Sequence, residues 1–343
     1  MKKIIISGLV VFLLFSVLIG CTNTFTSDNR KATVTIIDAT GAVIEVPYPV
    51  ERIVSMNSGL STLIAAFGEG GKIVGRDTYS TFPSSLISVY AVGKNSAHPS
   101  IELIFDQRPD IVIADTMLHE SVREKIEAAG IPVIVESTGD PDRILFIVRN
   151  LGLILNKKEK AEEIIEYMEN YLNIVYERIE ELESEEASFP LIYFENRHDY
   201  KSASGESPNH KPIASAGGVN IAVGERAPSP RLSSEWILEQ DPKIIVRRMS
   251  GDAGLKEMKA MREGIMTRPG LKDTKAVREG NVYIIKADVL LTIRYPVGLL
   301  YYAKWFHPDE FSDIEPSAVH KELIDKFFGN EEWDKIKEVF VYP

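Results

Sequence analysis

The sequence predicts an α/β protein of two lobes joined by one long rigid helix. Short β-branched runs alternate with amphipathic helical segments in both halves, the pattern of parallel sheets covered on both faces. Between them, residues 157–186 carry a helical period that no glycine or proline interrupts. The chain is also long, at 343 residues, and exceeds what one hydrophobic core organises.

The first residues differ in kind from the rest. Lys2 and Lys3 precede an almost unbroken apolar run from Ile4 to Ile19, which ends in Gly20-Cys21. A short apolar stretch so flanked reads as an export signal over residues 1–20. Cys21 is the only cysteine, and its setting resembles the lipobox of bacterial-type lipoproteins, whose cysteine receives a diacylglycerol. Two acyl chains meet the requirement for stable anchoring. Residues 21–31, polar and without period, then serve as a flexible tether.

Residues 32–156 read as the N-terminal lobe. "ATVTIIDATGAVIEVP" alternates about Thr40-Gly41 as a hairpin does. "RIVSM" is a buried strand, after which Asn57 or Ser58 caps a helix that stops at Gly68. "KIVGR" is strand-like, and "SIELIFDQRPDIVI" gives a helix, a proline and a strand. An amphipathic helix ending at Gly130, the strand "IPVIVE" and a helix opened by Asp140-Pro141 complete the lobe.

The long segment that follows holds Ile164, Met168, Leu172, Val175, Ile179 and Leu182 on one face at spacings of three and four. A single stripe without sustained heptads suits a strut between lobes better than a coiled coil. Residues 187–343 repeat the α/β rhythm. "PLIYFE", "KIIV" and "NVYIIKA" are strands; "IASAGGVNIAV", "SSEWILEQ", "GLKEMKAMREGIM" and "VGLLYYAKWF" are helices. The last thirty residues form short helices. The frame of "SIELIFDQRPDIVI" recurs in "SEWILEQDPKIIV": Glu102, Gln107 and Pro109 match Glu235, Gln240 and Pro242.

The formal charge of −11 lacks the positive footprint of a phosphate-backbone binder, which disfavours nucleic acid. No G-x-S-x-G elbow or phosphate loop occurs, and no thiol remains once Cys21 is lipidated, so an enzyme is not expected.

The order of "ERIVSMNSGLSTLIAAFGEGGKIVGR", "SIELIFDQRPDIVIA", "IASAGGVNIA", "SSEWILEQDPKIIV" and "AVREGNVYIIKADVLL" resembles class III substrate-binding lipoproteins of ABC importers. The resemblance implies two Rossmann-like lobes on a helical backbone, with a ligand cleft between them that closes only slightly. It implies a monomer facing outward on the cell membrane, with no intrinsic cofactor. Its cargo would be an iron(III) chelate such as a siderophore or haem; cobalamin, or a metal oxyanion such as molybdate or tungstate, is the alternative. It further implies that Glu102 and Glu235, one per lobe, dock onto the two subunits of an ABC permease that works with its ATPase.

Open α/β sheets bind ligands at the carboxyl ends of their strands. That rule selects Asn57 and Ser58 after "RIVSM", Tyr79 after "KIVGR", and His98 before the next helix. In the second half it selects Tyr200 after "PLIYFE", Arg247 and Arg248 in "KIIVRR", and Arg294-Tyr295 before a helix. Guanidinium groups pair with carboxylate, catecholate or oxyanion oxygens, so Arg247, Arg248 and Arg294 are candidate anion contacts. The six histidines show no tight ligand spacing; His98, His198 and a carboxylate are the alternative, a direct metal site.

Overall fold

The computed structural model describes residues 32–250, 254–337 and 340–343, so the export signal and Cys21 lie outside the described residues. A hairpin of β1 (Thr33–Ile37) and β2 (Val43–Pro47) opens the chain. Its turn is set by Gly41 at φ +80° and by Asp38, whose carboxylate accepts from the Thr40 amide at 2.9 Å.

The N-terminal lobe then alternates β3 (Ile53–Ser55), α1 (Ser58–Ala66), β4 (Ile73–Asp77), β5 (Ala91–Gly93), α2 (Ile101–Asp106), β6 (Ile111–Asp115), α3 (Glu120–Ala128), β7 (Val133–Glu136) and α4 (Pro141–Ile154). Its sheet is parallel throughout, in the order β5-β4-β3-β6-β7. Helix starts are written in the sequence: Asn57 accepts from the Gly59 and Leu60 amides, Ser100 from Leu103, and Asp140 from Asp142.

Helix α5 runs over Lys158–Ser184, about 40 Å at the usual rise. Its stripe of Ile164, Met168, Leu172, Val175 and Ile179 is buried, packed against α4 on one side and the C-terminal lobe on the other.

The C-terminal lobe comprises β8 (Leu191–Asn196), α6 (His210–Ser215), β9 (Val219–Asn220), α7 (Ser234–Gln240), β10 (Ile244–Met249), α8 (Leu255–Met266), α9 (Lys275–Arg278), β11 (Val282–Lys286), α10 (Tyr295–Phe306), α11 (Pro316–Phe328), α12 (Asn330–Ile336) and β12 (Val341–Tyr342). The sheet order is β12-β11-β10-β8-β9, with only β12 antiparallel. The single helix expected over "IASAGGVNIAV" is not formed. The chain leaves α6 after Ser215, passes Gly217 at φ +71°, and pairs β9 with β8.

One continuous hydrophobic cluster includes residues of both lobes, α5 and α10; two smaller clusters fill the outer face of each sheet. Lobes that share a core are held as one body, unlike lobes that meet across a polar interface. Three further contacts cross the seam. Thr292 Oγ1 donates to the Gly59 carbonyl at 3.2 Å. The Ser84 amide and hydroxyl donate to the Glu332 carboxylate at 2.9 and 2.6 Å. The Phe82 and Phe328 rings meet edge to face at 4.9 Å. Among the described residues, no helix is long and apolar enough to cross a membrane.

Candidate functional site

The carboxyl ends of the two sheets face a cleft. From the N-terminal lobe, β3 delivers Ser58 and Gly59, β4 delivers Tyr79 to Phe82, and β7 delivers Ser137 to Pro141. Opposite them lie the segment after β8 (Gly205 to Ser215), the end of β10, and the turns after β11 (Asp288 to Tyr295). Three neighbouring spaces result, adjacent ones sharing lining residues. The widest, about 700 Å³, lies between Ser137–Pro141 and His210, Lys211 and Ser215. Through Pro141 and Pro208 it adjoins a space of about 200 Å³ walled by Leu291, Arg248 and Tyr295. Beyond Leu291 a slot of about 20 Å³, room for one water, touches Ser58, Tyr79, Asp288 and Arg294.

The cleft therefore brings together Ser58, Tyr79, Arg248, Arg294 and Tyr295 from the residues that the sequence singles out. Tyr79 is 43% exposed and free to meet a ligand. Arg248 makes no ion pair among the described residues, and its Nε is buried without a partner. Burial lowers its pKa, and the neighbouring Arg197 charge adds to the effect. The Tyr295 and Tyr302 hydroxyls are also buried without hydrogen-bond partners. Burial raises both phenols, so they stay protonated donors. Arg294 is only 3% exposed, and its Nε and Nη2 have no partner. Its guanidinium lies over Phe82 at 4.0 Å and Phe340 at 4.8 Å, and burial lowers its pKa to about 10.

The other candidates are occupied elsewhere. Asn57 is spent on its cap and on Asp115, to which Nδ2 donates at 2.7 Å. Arg247 turns inward: Nη1 pairs with the wholly buried Glu195, and Nη2 donates to the Arg197 carbonyl at 2.8 Å. Glu195 also accepts from Arg268 at 2.7 Å, Tyr193 at 2.8 Å and the Tyr200 amide at 2.8 Å. Tyr200 packs beneath the Arg268 guanidinium and donates to the Pro269 carbonyl at 3.3 Å, away from the cleft. His98 is exposed, 3.1 Å from Asn95 Oδ1, and lines none of the three spaces. Among the described residues, no three His, Cys, Asp or Glu side chains converge as for a metal ion.

Sequence reasoning missed one wall of the widest space. Ser137 to Asp140 follow β7, so the same strand-end rule points to them. His210 and Lys211 sit in a polar stretch that carries no such signal. Burial keeps the His210 imidazole below its ordinary pKa, hence neutral near pH 7. Lys211 reaches across the mouth of this space to pair with Asp142 on the opposite lobe.

A family model described as periplasmic binding protein matches residues 53–289, and the chain belongs to that family. The periplasmic haem-binding protein of Pseudomonas aeruginosa superposes with a TM-score of 0.66 at 25% identity, over 76% of this chain and 94% of that one. A periplasmic solute-binding protein from Veillonella parvula gives 0.73 at 22% identity, over 90% and 97%. In sequence, the cobalamin-binding protein of Halobacterium salinarum is 23% identical over 64% of this chain; the match spans 59% of that protein's length. The family is one of extracytoplasmic binding proteins rather than enzymes.

Proposed function

We propose that this protein is the solute-binding component of an ABC importer, and that it holds an anionic metal complex, an iron(III) chelate such as a siderophore or haem, in the cleft. The observation that carries the reading is Arg248. A partly buried guanidinium with no ion pair and an unpartnered Nε, beside the Tyr295 and Tyr302 phenols, is costly in a protein at rest, and an anionic ligand relieves that cost. Arg294 supplies a second positive charge at the narrow end, and Tyr79 a ring at its rim. The widest space is far larger than molybdate or tungstate needs, which favours a chelate over a bare oxyanion. Cobalamin is the second reading, favoured by the cobalamin-binding and vitamin B12-binding proteins among the chain's relatives.

In this reading residues 1–20 are removed, Cys21 carries the lipid, and residues 21–31 tether lobes 32–156 and 187–343 to the membrane surface. Glu102 and Glu235 dock the lobes onto a permease dimer, steering encounter more than adding affinity. Thermal shift of residues 22–343 against ferric siderophores, haem, cobalamin, molybdate and tungstate tests the cargo. At one hundred times its dissociation constant a ligand stabilises by about 2.7 kcal/mol. A ferric chelate or haem should shift the wild type and lose at least tenfold in affinity to Arg248→Ala. A shift with cobalamin alone selects the second reading, and no shift with any metal species overturns both.

A further inference from the structure

We propose that Phe105 and Leu238 are a matched pair of apolar anchors, one per lobe, that seat this protein on a two-subunit membrane permease; the inference rests on the docking reading of Glu102 and Glu235.

Helices α2 and α7 occupy equivalent places, each leading into a central parallel strand, β6 or β10, of its own sheet. Each is capped by a serine two residues before the glutamate, Ser100 accepting from the Leu103 amide and Ser233 from the Trp236 amide. Each ends in a left-handed residue, Arg108 at φ +45° or Asp241 at φ +41°, followed by Pro109 or Pro242. The inward faces match position by position. Ile104 and Ile237 are both wholly buried, and Leu103 and Trp236 both pack against the outer cores.

The outward faces match as well. Glu102 and Glu235 are exposed and have no cationic partner among the described residues. One helical turn on, Phe105 is 36% exposed and Leu238 is 37% exposed, and neither joins any of the three cores. Residues three apart on a helix lie side by side, so each lobe presents a carboxylate next to an apolar side chain. A single exposed leucine or phenylalanine needs no explanation. The same pairing at the same place in two lobes that share little other sequence does. In each sheet the helix runs from the carboxyl end of one parallel strand back to the start of the next, so both glutamates stand at the edge where the cleft opens. Two like patches on one edge fit a partner built of two like subunits, each offering a cation beside an apolar socket. The carboxylates would govern how fast the partners meet, and the anchors how long they stay.

The test is biolayer interferometry of the protein on its cognate permease–ATPase complex in nanodiscs. Phe105→Ala/Leu238→Ala should leave association and its salt dependence unchanged and speed dissociation about tenfold. Phe105→Leu/Leu238→Phe should restore slow release. Glu102→Gln/Glu235→Gln should instead slow association and flatten its salt dependence. All variants should melt with the wild type, because the substituted side chains lie outside the cores. Wild-type dissociation of the apolar variant beside slowed association of the charge variant would overturn the anchors and leave docking standing. Two variants that both behave as wild type, or a wild type that does not associate, would overturn both. Self-association of the protein that the apolar variant abolishes, without effect on the complex, would assign the anchors to a second copy and overturn the proposal.

Discussion

Asp77, at the end of β4, shows how much a single strand-end residue can carry. Its carboxylate accepts from the Tyr79 amide at 2.6 Å and the Ser80 amide at 2.8 Å, yet burial lifts its pKa to about 6, with the Asp115 charge adding to the rise. Between about pH 4 and 6 the folded protein keeps a proton that the unfolded chain has released. Stability contributed by this group is therefore present at low pH and falls as pH rises through 6, by roughly 1–3 kcal/mol. Asp77→Asn keeps an acceptor for both amides and should flatten that fall, raising the melting temperature at pH 7.5 but not at pH 4. Equal pH profiles for variant and wild type would show that Asp77 is not the titrating group. The residue scale is also where the sequence was least legible. Arg247 and Arg248 are neighbours on β10, and successive side chains on a strand point to opposite faces. One meets Glu195 in the interior and the other the cleft. Which face is the cleft depends on where the other lobe sits, which no local pattern encodes.

Among elements, those with their own chemical signals were readable. Asn57, Ser100, Asp140 and Ser233 are helix caps recognisable from residue type, and the α5 stripe is periodic over its full length. Elements made by tertiary contact were not. A Cβ on Gly218 would lie 2.6 Å from Phe306 Cε2, so α10 presses on the backbone there and the chain turns into β9 rather than continuing a helix. The two-residue strands β9 and β12 have no period to detect. Gly59, in the first turn of α1, shows the same principle at the lobe seam. A Cβ there would stand 3.0 Å from Thr292 Cγ2 and 3.1 Å from Asn57 Oδ1. Gly59→Ala should cost about 1–2 kcal/mol in chemical denaturation, and Thr292→Ser in the same chain should recover part of it. Independent, additive effects would mean that the two elements do not press on each other. Inside α5, Met168 is wholly buried, and Met168→Ala should cost about 2–4 kcal/mol. A loss below about 1 kcal/mol would contradict the strut's place in the shared core.

For the whole molecule, a core shared by both lobes resists large hinge motion, so opening of the cleft falls to smaller parts. Lys211 and Asp142 span the mouth of the widest space from opposite lobes, and both are well exposed. An exposed pair contributes little to stability, typically under 1 kcal/mol, so it can open without unfolding anything. Lys211→Ala should leave the melting temperature within about a degree and raise the ligand's dissociation rate severalfold by stopped-flow. An unchanged dissociation rate would remove the pair from the exit path.

The clasp between Ser84 and Glu332 has a consequence for the order in which the chain folds. Its partners are 248 positions apart in the chain, so it cannot form until nearly all of the C-terminal lobe has been made. Contacts of such separation form late and slowly in folding. Until then the lobe seam lacks one of its ties. A tie that helps join the lobes is thus also one of the last that synthesis allows to form.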